Sequence, residues 1–109
     1  MLYASIDIET LGLDWDKCDM IEFAAVVDST NDNVILDQLP KYHAYITRPN
    51  NLYRGDAFAM AMHAKILSRI AKREAGYNYV PHDMLGENFS EWLRSIGLGI
   101  DPMKLIVAG

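Results

Sequence analysis

Leu2-Tyr3-Ala4-Ser5-Ile6-Asp7-Ile8-Glu9-Thr10-Leu11-Gly12-Leu13 lies at the start of the chain, and its alternation decides how the remainder is read. Leu2, Ala4, Ile6 and Ile8 fall on one side of an extended segment, and Tyr3, Ser5, Asp7 and Glu9 fall on the other. Period two is the mark of a β-strand with one apolar face. Residues two apart on a strand share a face, so Asp7 and Glu9 project into one space. Two like charges that close repel, and a fold keeps them where a cation, a shared proton or solvent offsets the repulsion. Divalent ions that prefer oxygen ligands, Mg²⁺ or Mn²⁺, are the natural candidates. Thr10 to Gly12 then turns the chain sharply, where backbone groups can approach a ligand. On spacing alone the pair also reads as two solvated acids at a strand end.

Working outward, Gly12 to Asp19 is an acidic connection, and Met20 to Asp28 is nearly all apolar, as a strand covered on both faces would be. Ser29 to Asn33 carries turn chemistry, and a third strand is expected over Lys41 to Thr47, ended by Pro49 and Asn50-Asn51. From Asp56 the period becomes helical. Ala59, Met62, Ile66 and Ile70 form an apolar stripe widened by Phe58 and Leu67, with Asp56 as N-cap and Gly76 as C′ residue. A second helix is expected from about Asp83, with Leu85, Phe89, Trp92, Leu93 and Ile96 on one face and Gly97 at its end. Leu105 to Ala108 reads as a buried fourth strand. The pattern predicts an α/β fold in which three strands form an antiparallel meander. The fourth returns by a helical crossover, parallel to a neighbour.

Composition bounds the function. The 109 residues form one domain at most, and half are hydrophobic, enough for a core. A net charge of -5 argues against a basic phosphate clamp, though not against an enzyme that meets nucleic acid through bound cations. A single cysteine, Cys18, excludes an intrachain disulfide and a cysteine zinc cluster and fits a reducing cytoplasm. No apolar stretch is long enough to span a bilayer, and no signal peptide is expected before Asp7.

The run Asp7 to Leu13, followed by Met20-Ile21-Glu22-Phe23-Ala24-Ala25-Val26-Val27, resembles the opening of the DEDD-type 3′–5′ exonucleases. These RNase H-like enzymes include polymerase proofreading domains and oligoribonucleases, and their first strand carries an Asp-x-Glu-Thr-x-Gly signature. Ala59-Met60-Ala61-Met62-His63 with Ile66 looks like the helix that follows the third strand in that family. The element order matches along the whole chain, while only the first motif is specific. The resemblance implies an RNase H-like mixed sheet with packed helices over residues 1–109, as the N-terminal portion of one domain. It implies that Asp7 bridges two divalent ions, Mg²⁺ or Mn²⁺, and that Glu9 ligates one of them. Thr10 and Leu11 would contact the 3′-terminal nucleotide of a single-stranded DNA or RNA. The chemistry implied is two-metal phosphodiester hydrolysis.

A complete site of that kind also needs an Asp beyond the fourth strand and a later His-x-x-x-Asp helix, so only the first half is expected in this chain. The residues four beyond His43, His63 and His82 are Thr47, Leu67 and Gly86, none acidic. A complementing C-terminal chain, or a homodimer pairing the fourth strand's edge, would then be the expected partner. The competing reading is a non-catalytic RNase H-like remnant or partner-binding module. A two-carboxylate glycosidase is disfavoured, because acids two apart on one strand face the same side of a substrate. Asp14, Asp16 and Asp19 read as a solvated acidic loop, because Cys18 and Asp19 occupy positions that a calcium loop reserves for a ligand and a glycine. Glu22 reads equally as an outer partner of the metals or a hydrogen-bonded strand residue. Lys65, Arg69, Lys72 and Arg73 are expected on a solvated face, and Met60, Met62 and Trp92 in the core.

Overall fold

A computed structural model describes residues 2–29, 39–96 and 106–108. The alternating opening segment is strand β1, Leu2–Thr10, and the apolar segment after it is β2, Met20–Ser29. β3 spans Lys41–Thr47. Helices α1, Ala57–Met62, and α2, Ala64–Lys72, follow, then β4, Tyr79–Pro81, α3, Leu85–Ser95, and β5, Ile106–Ala108. The sheet order is β4-β3-β2-β1-β5. β1, β2 and β3 form the expected antiparallel meander, and β5 lies parallel to β1 through Tyr3↔Ile106, Ala4↔Val107 and Ser5↔Ala108. The architecture is α/β with a mixed sheet.

β4 was not expected. It adds parallel to β3 through Tyr45↔Tyr79, Ile46↔Val80 and Thr47↔Pro81. Three residues cannot display a period, and Pro81 lacks an N–H, which an edge position tolerates.

Helix α3 covers one sheet face. Ala4, Val27 and Leu93 are buried together, with Ile6, Phe89, Trp92 and Ile96 packed around them. Ala25, Tyr42, Ala44, Ile46 and Val80 continue that layer beneath Leu85, Phe89 and Trp92. The apolar face expected of this helix is therefore the one it buries. It begins at Leu85 rather than Asp83, and Gly97, like the turn over residues 30–33, lies outside the described residues.

The single helix expected from Asp56 is two. Asp56 caps α1 by accepting a hydrogen bond from the Ala59 N–H at 2.8 Å. The chain leaves helical geometry at His63 (φ -103°, ψ 22°) and resumes at Ala64. No Pro or Gly marks the break. It rotates the apolar stripe: Ala59 and Ile70 are buried, whereas Phe58 (78% exposed) and Met62 (63%) face outward, against expectation. Met60 and Trp92 pack inward as expected. The αL residue that ends α2 is Arg73, not Gly76, which takes its positive φ in the following turn.

α1 and α2 cover only part of the second sheet face. Leu11, Ile21, Tyr45 and Ile70 form their core, with Tyr53, Met60, Ile66, Leu67 and Tyr79 around it. Ile21 reaches that face through a β-bulge. Glu9 pairs with Glu22 but Thr10 with Met20, so Ile21 is the extra residue and joins the side of Glu22. β2 is thus covered on both faces only near its start, a correction to the expectation for Met20 to Asp28.

Candidate functional site

Asp7 and Glu9 lie on the sheet face opposite α3, as the alternation requires. Cross-strand pairing sets them in two rows: Asp7 with Ala24 and His43, and Glu9 with Glu22 and Tyr45. Asp7 is exposed and has no hydrogen-bond or ion-pair partner among the described residues. The Glu9 side chain is 39% exposed, and its Oε2 stands 3.4 Å from Nε2 of His63 at the α1–α2 break. Glu22 bonds to His43 Nε2 at 2.7 Å, so it is a hydrogen-bonded strand residue.

The loop after Glu9 is fastened from both sides. The Leu11 N–H donates to the Asp19 carbonyl at 3.0 Å, and the Leu11 carbonyl accepts from the Asp56 N–H at 2.8 Å. Thr10 Oγ1 donates to the Gly12 carbonyl at 2.8 Å. The approach is too close for side chains. A Cβ on Gly55 would stand 2.3 Å from Leu11 Cβ, and one on Gly12 2.4 Å from Cys18 Sγ. The start of α1 is thereby seated against the turn that follows the acid pair.

Asp19 is the latch of this junction. It is 5% exposed, where a solvated loop residue was expected. Its Oδ2 accepts the Arg54 backbone N–H at 2.8 Å, and its Oδ1 accepts Arg54 Nη2 at 3.1 Å. Arg48 Nε lies 3.7 Å away. Burial pushes the Asp19 carboxyl up, but the Arg54 hydrogen bonds and the Arg48 and Arg54 charges outweigh it, and the group lies below the usual carboxylate range. Asp14 and Asp16 are exposed as expected.

Leu11, expected to touch a nucleotide, has no exposed surface and is a core anchor. Leu13 and Trp15, two and four residues on, are 104% and 88% exposed, and Phe58 and Met62 present apolar surface from α1. The basic residues of α2 are also less free than expected. Arg69 donates to Tyr45 Oη at 2.8 Å and to Glu74 at 3.0 Å, with its guanidinium 4.7 Å from the Tyr77 ring centre. Arg73 lies 5.6 Å over Tyr79. Lys65 and Lys72 remain exposed.

Two hard carboxylates on a rigid strand, one without a protein partner, suit a divalent cation of the Mg²⁺ or Mn²⁺ kind. They would supply only part of a coordination shell: among the described residues no group of three or more His, Cys, Asp or Glu side chains could hold a metal ion. Local sequence spacing gave no sign of His63, because its tie to Glu9 crosses 54 residues. No helix among the described residues is long and apolar enough to cross a membrane. No protein-family model matches the chain, and no curated protein matches it.

Proposed function

We propose that this chain carries the first carboxylate half of an RNase H-like 3′–5′ exonuclease site, acting with Mg²⁺ or Mn²⁺ on the 3′ end of single-stranded DNA or RNA. The observation that carries the reading is the pair Asp7 and Glu9 on one strand face, with Asp7 exposed and unpartnered among the described residues. The meander with β5 parallel to β1 supports the fold assignment.

Asp7 and Glu9 would hold the cations, which when bound supply charge to activate water and to stabilise the leaving 3′-oxygen. Placement on a strand keeps both carboxylates in fixed geometry. The loop fastened by Asp19 and Asp56 keeps Thr10 and Gly12 beside them. Exposed Leu13 and Trp15 offer apolar surface on which terminal bases can stack. Leu11 serves by anchoring that loop.

Titration with Mn²⁺ should broaden the amide signals of Ile6 to Gly12 weakly, and Asp7→Asn should abolish the effect. Broadening elsewhere, or broadening that survives the substitution, sinks the assignment. With two anionic ligands for two ions, mononucleotide release by the 109-residue chain from a 3′-labelled oligonucleotide should lie below detection, because losing members of a catalytic unit costs orders of magnitude in rate. Release that disappears in Asp7→Ala would show that these carboxylates suffice. A non-catalytic domain that binds a partner is the second reading, favoured by the exposed Leu13, Trp15, Phe58 and Met62. Complete absence of Mn²⁺ broadening would select it.

A further inference from the structure

Glu9 and Glu22 are cross-strand partners on β1 and β2. Cβ atoms so placed stand about 4.5–5.5 Å apart, and like charges there repel. The fold gives each carboxylate its own histidine from a different element. His43 on β3 takes Glu22 at 2.7 Å, and His63 at the α1–α2 break faces Glu9 at 3.4 Å.

Two properties separate His63 from a casual surface neighbour. Its side chain is only 13% exposed, against 39% for Glu9, so the ring is held by packing while the carboxylate reaches solvent. It also occupies the residue at which the helical segment is interrupted, with its N–H on the Ala59 carbonyl and its carbonyl accepting from Leu67. The backbone on either side of the ring is therefore fixed.

We infer that His63 is a positioning residue for Glu9, an inference that rests on the metal reading of the acid pair. In its Nε2–H form the ring donates to Oε2 of Glu9 and leaves the other carboxylate oxygen, with Asp7, for a divalent cation. The 3.4 Å separation closes to a hydrogen bond by a small rotation of the half-exposed Glu9 side chain. A ligating carboxylate held in this way keeps its orientation, and loss of such an outer partner typically weakens metal affinity about 10- to 100-fold. His63 touches neither cation nor substrate.

The test is Mn²⁺ affinity of the full chain, read from the electron paramagnetic resonance signal of free Mn²⁺, with thermal melts as a folding control. His63→Ala should weaken binding about tenfold or more. His63→Gln, whose side-chain N–H can reach the same oxygen, should retain most of the affinity. His82→Ala, at an exposed position in the turn after β4, should bind as wild type. In parallel, Glu9→Gln should shift the imidazole ¹⁵N signals of His63. Wild-type affinity in His63→Ala, or equal weakening in His63→Gln, overturns the inference while leaving the acid pair's role intact. If His63→Ala fails to fold, the His63→Gln affinity and the ¹⁵N shift decide, and an unchanged shift overturns it. A wild-type chain that binds no Mn²⁺ overturns both readings.

Discussion

One face of the sheet carries two halves built to different rules. Under α1 and α2, the bulged Ile21, Tyr45, Leu11 and Ile70 are buried, and the polar groups at the margin are paired: Asp19 with Arg54, and Arg69 with Tyr45 and Glu74. Over the rest of the face Ser5, Asp7 and Lys41 are exposed, Ala24, Val26 and His43 are half-buried, and no described helix covers them. Glu9 and His63 stand at the boundary. The covered half has the close packing that makes volume changes costly, and the open half keeps a carboxylate without a protein partner. Stability and ligand binding should therefore separate along this boundary.

The sharpest break in the comparison comes from Ile70→Ala. Ile70 has no exposed surface, and removing it should cost about 2–5 kcal/mol in urea denaturation. A loss under 1 kcal/mol would mean that α2 is loosely held and that the two halves are alike. Asp19→Asn comes next, with an expected loss of about 1.5–3 kcal/mol near neutral pH, from the hydrogen bonds that its charge strengthens. Because the folded Asp19 carboxyl lies below its unfolded value, its contribution is complete above about pH 4 and is lost as pH falls through the folded pKa. The wild-type chain should weaken over that acid range and Asp19→Asn should show a flatter profile; parallel profiles would remove Asp19 as the latch.

Gly55→Ala tests the seam itself. Its Cβ would meet Leu11 Cβ at 2.3 Å and the Leu11 carbonyl oxygen at 2.7 Å, so the loop or α1 must shift, at about 1–3 kcal/mol. The same variant should perturb the amide signals of Thr10 to Gly12; an unperturbed loop would show that α1 does not position it. The smallest stability effect belongs to the open half. Asp7→Asn should change stability by no more than about 0.5 kcal/mol, since it deletes an exposed charge with no partner among the described residues, while it abolishes Mn²⁺ broadening. A large stability loss there would make Asp7 a structural residue.

Periodicity made the meander, the face shared by Asp7 and Glu9, and the apolar face of α3 legible, because each rests on neighbours in sequence. Asp56 as a cap was legible for the same reason, through its contact with Ala59 three residues on. Spacing reasoning failed where a long-range contact outweighed it. Asp19 looked solvated and is buried on Arg54, and Met62 looked buried and is exposed; Leu11, a nucleotide contact only by the family resemblance, has no exposed surface. The break at His63 carries no Pro or Gly to announce it, and β4 is too short to have a period.

The sequence by itself determined that two carboxylates share a strand face, since backbone geometry alternates side chains whatever surrounds them. Only the tertiary structure decided which charges were already spoken for. Asp19, Glu22 and Arg69 found partners 35, 21 and 24 residues away, and Asp7 was left free among the described residues. Desolvation and pairing are properties of neighbours in space, and a linear order of residues does not specify them.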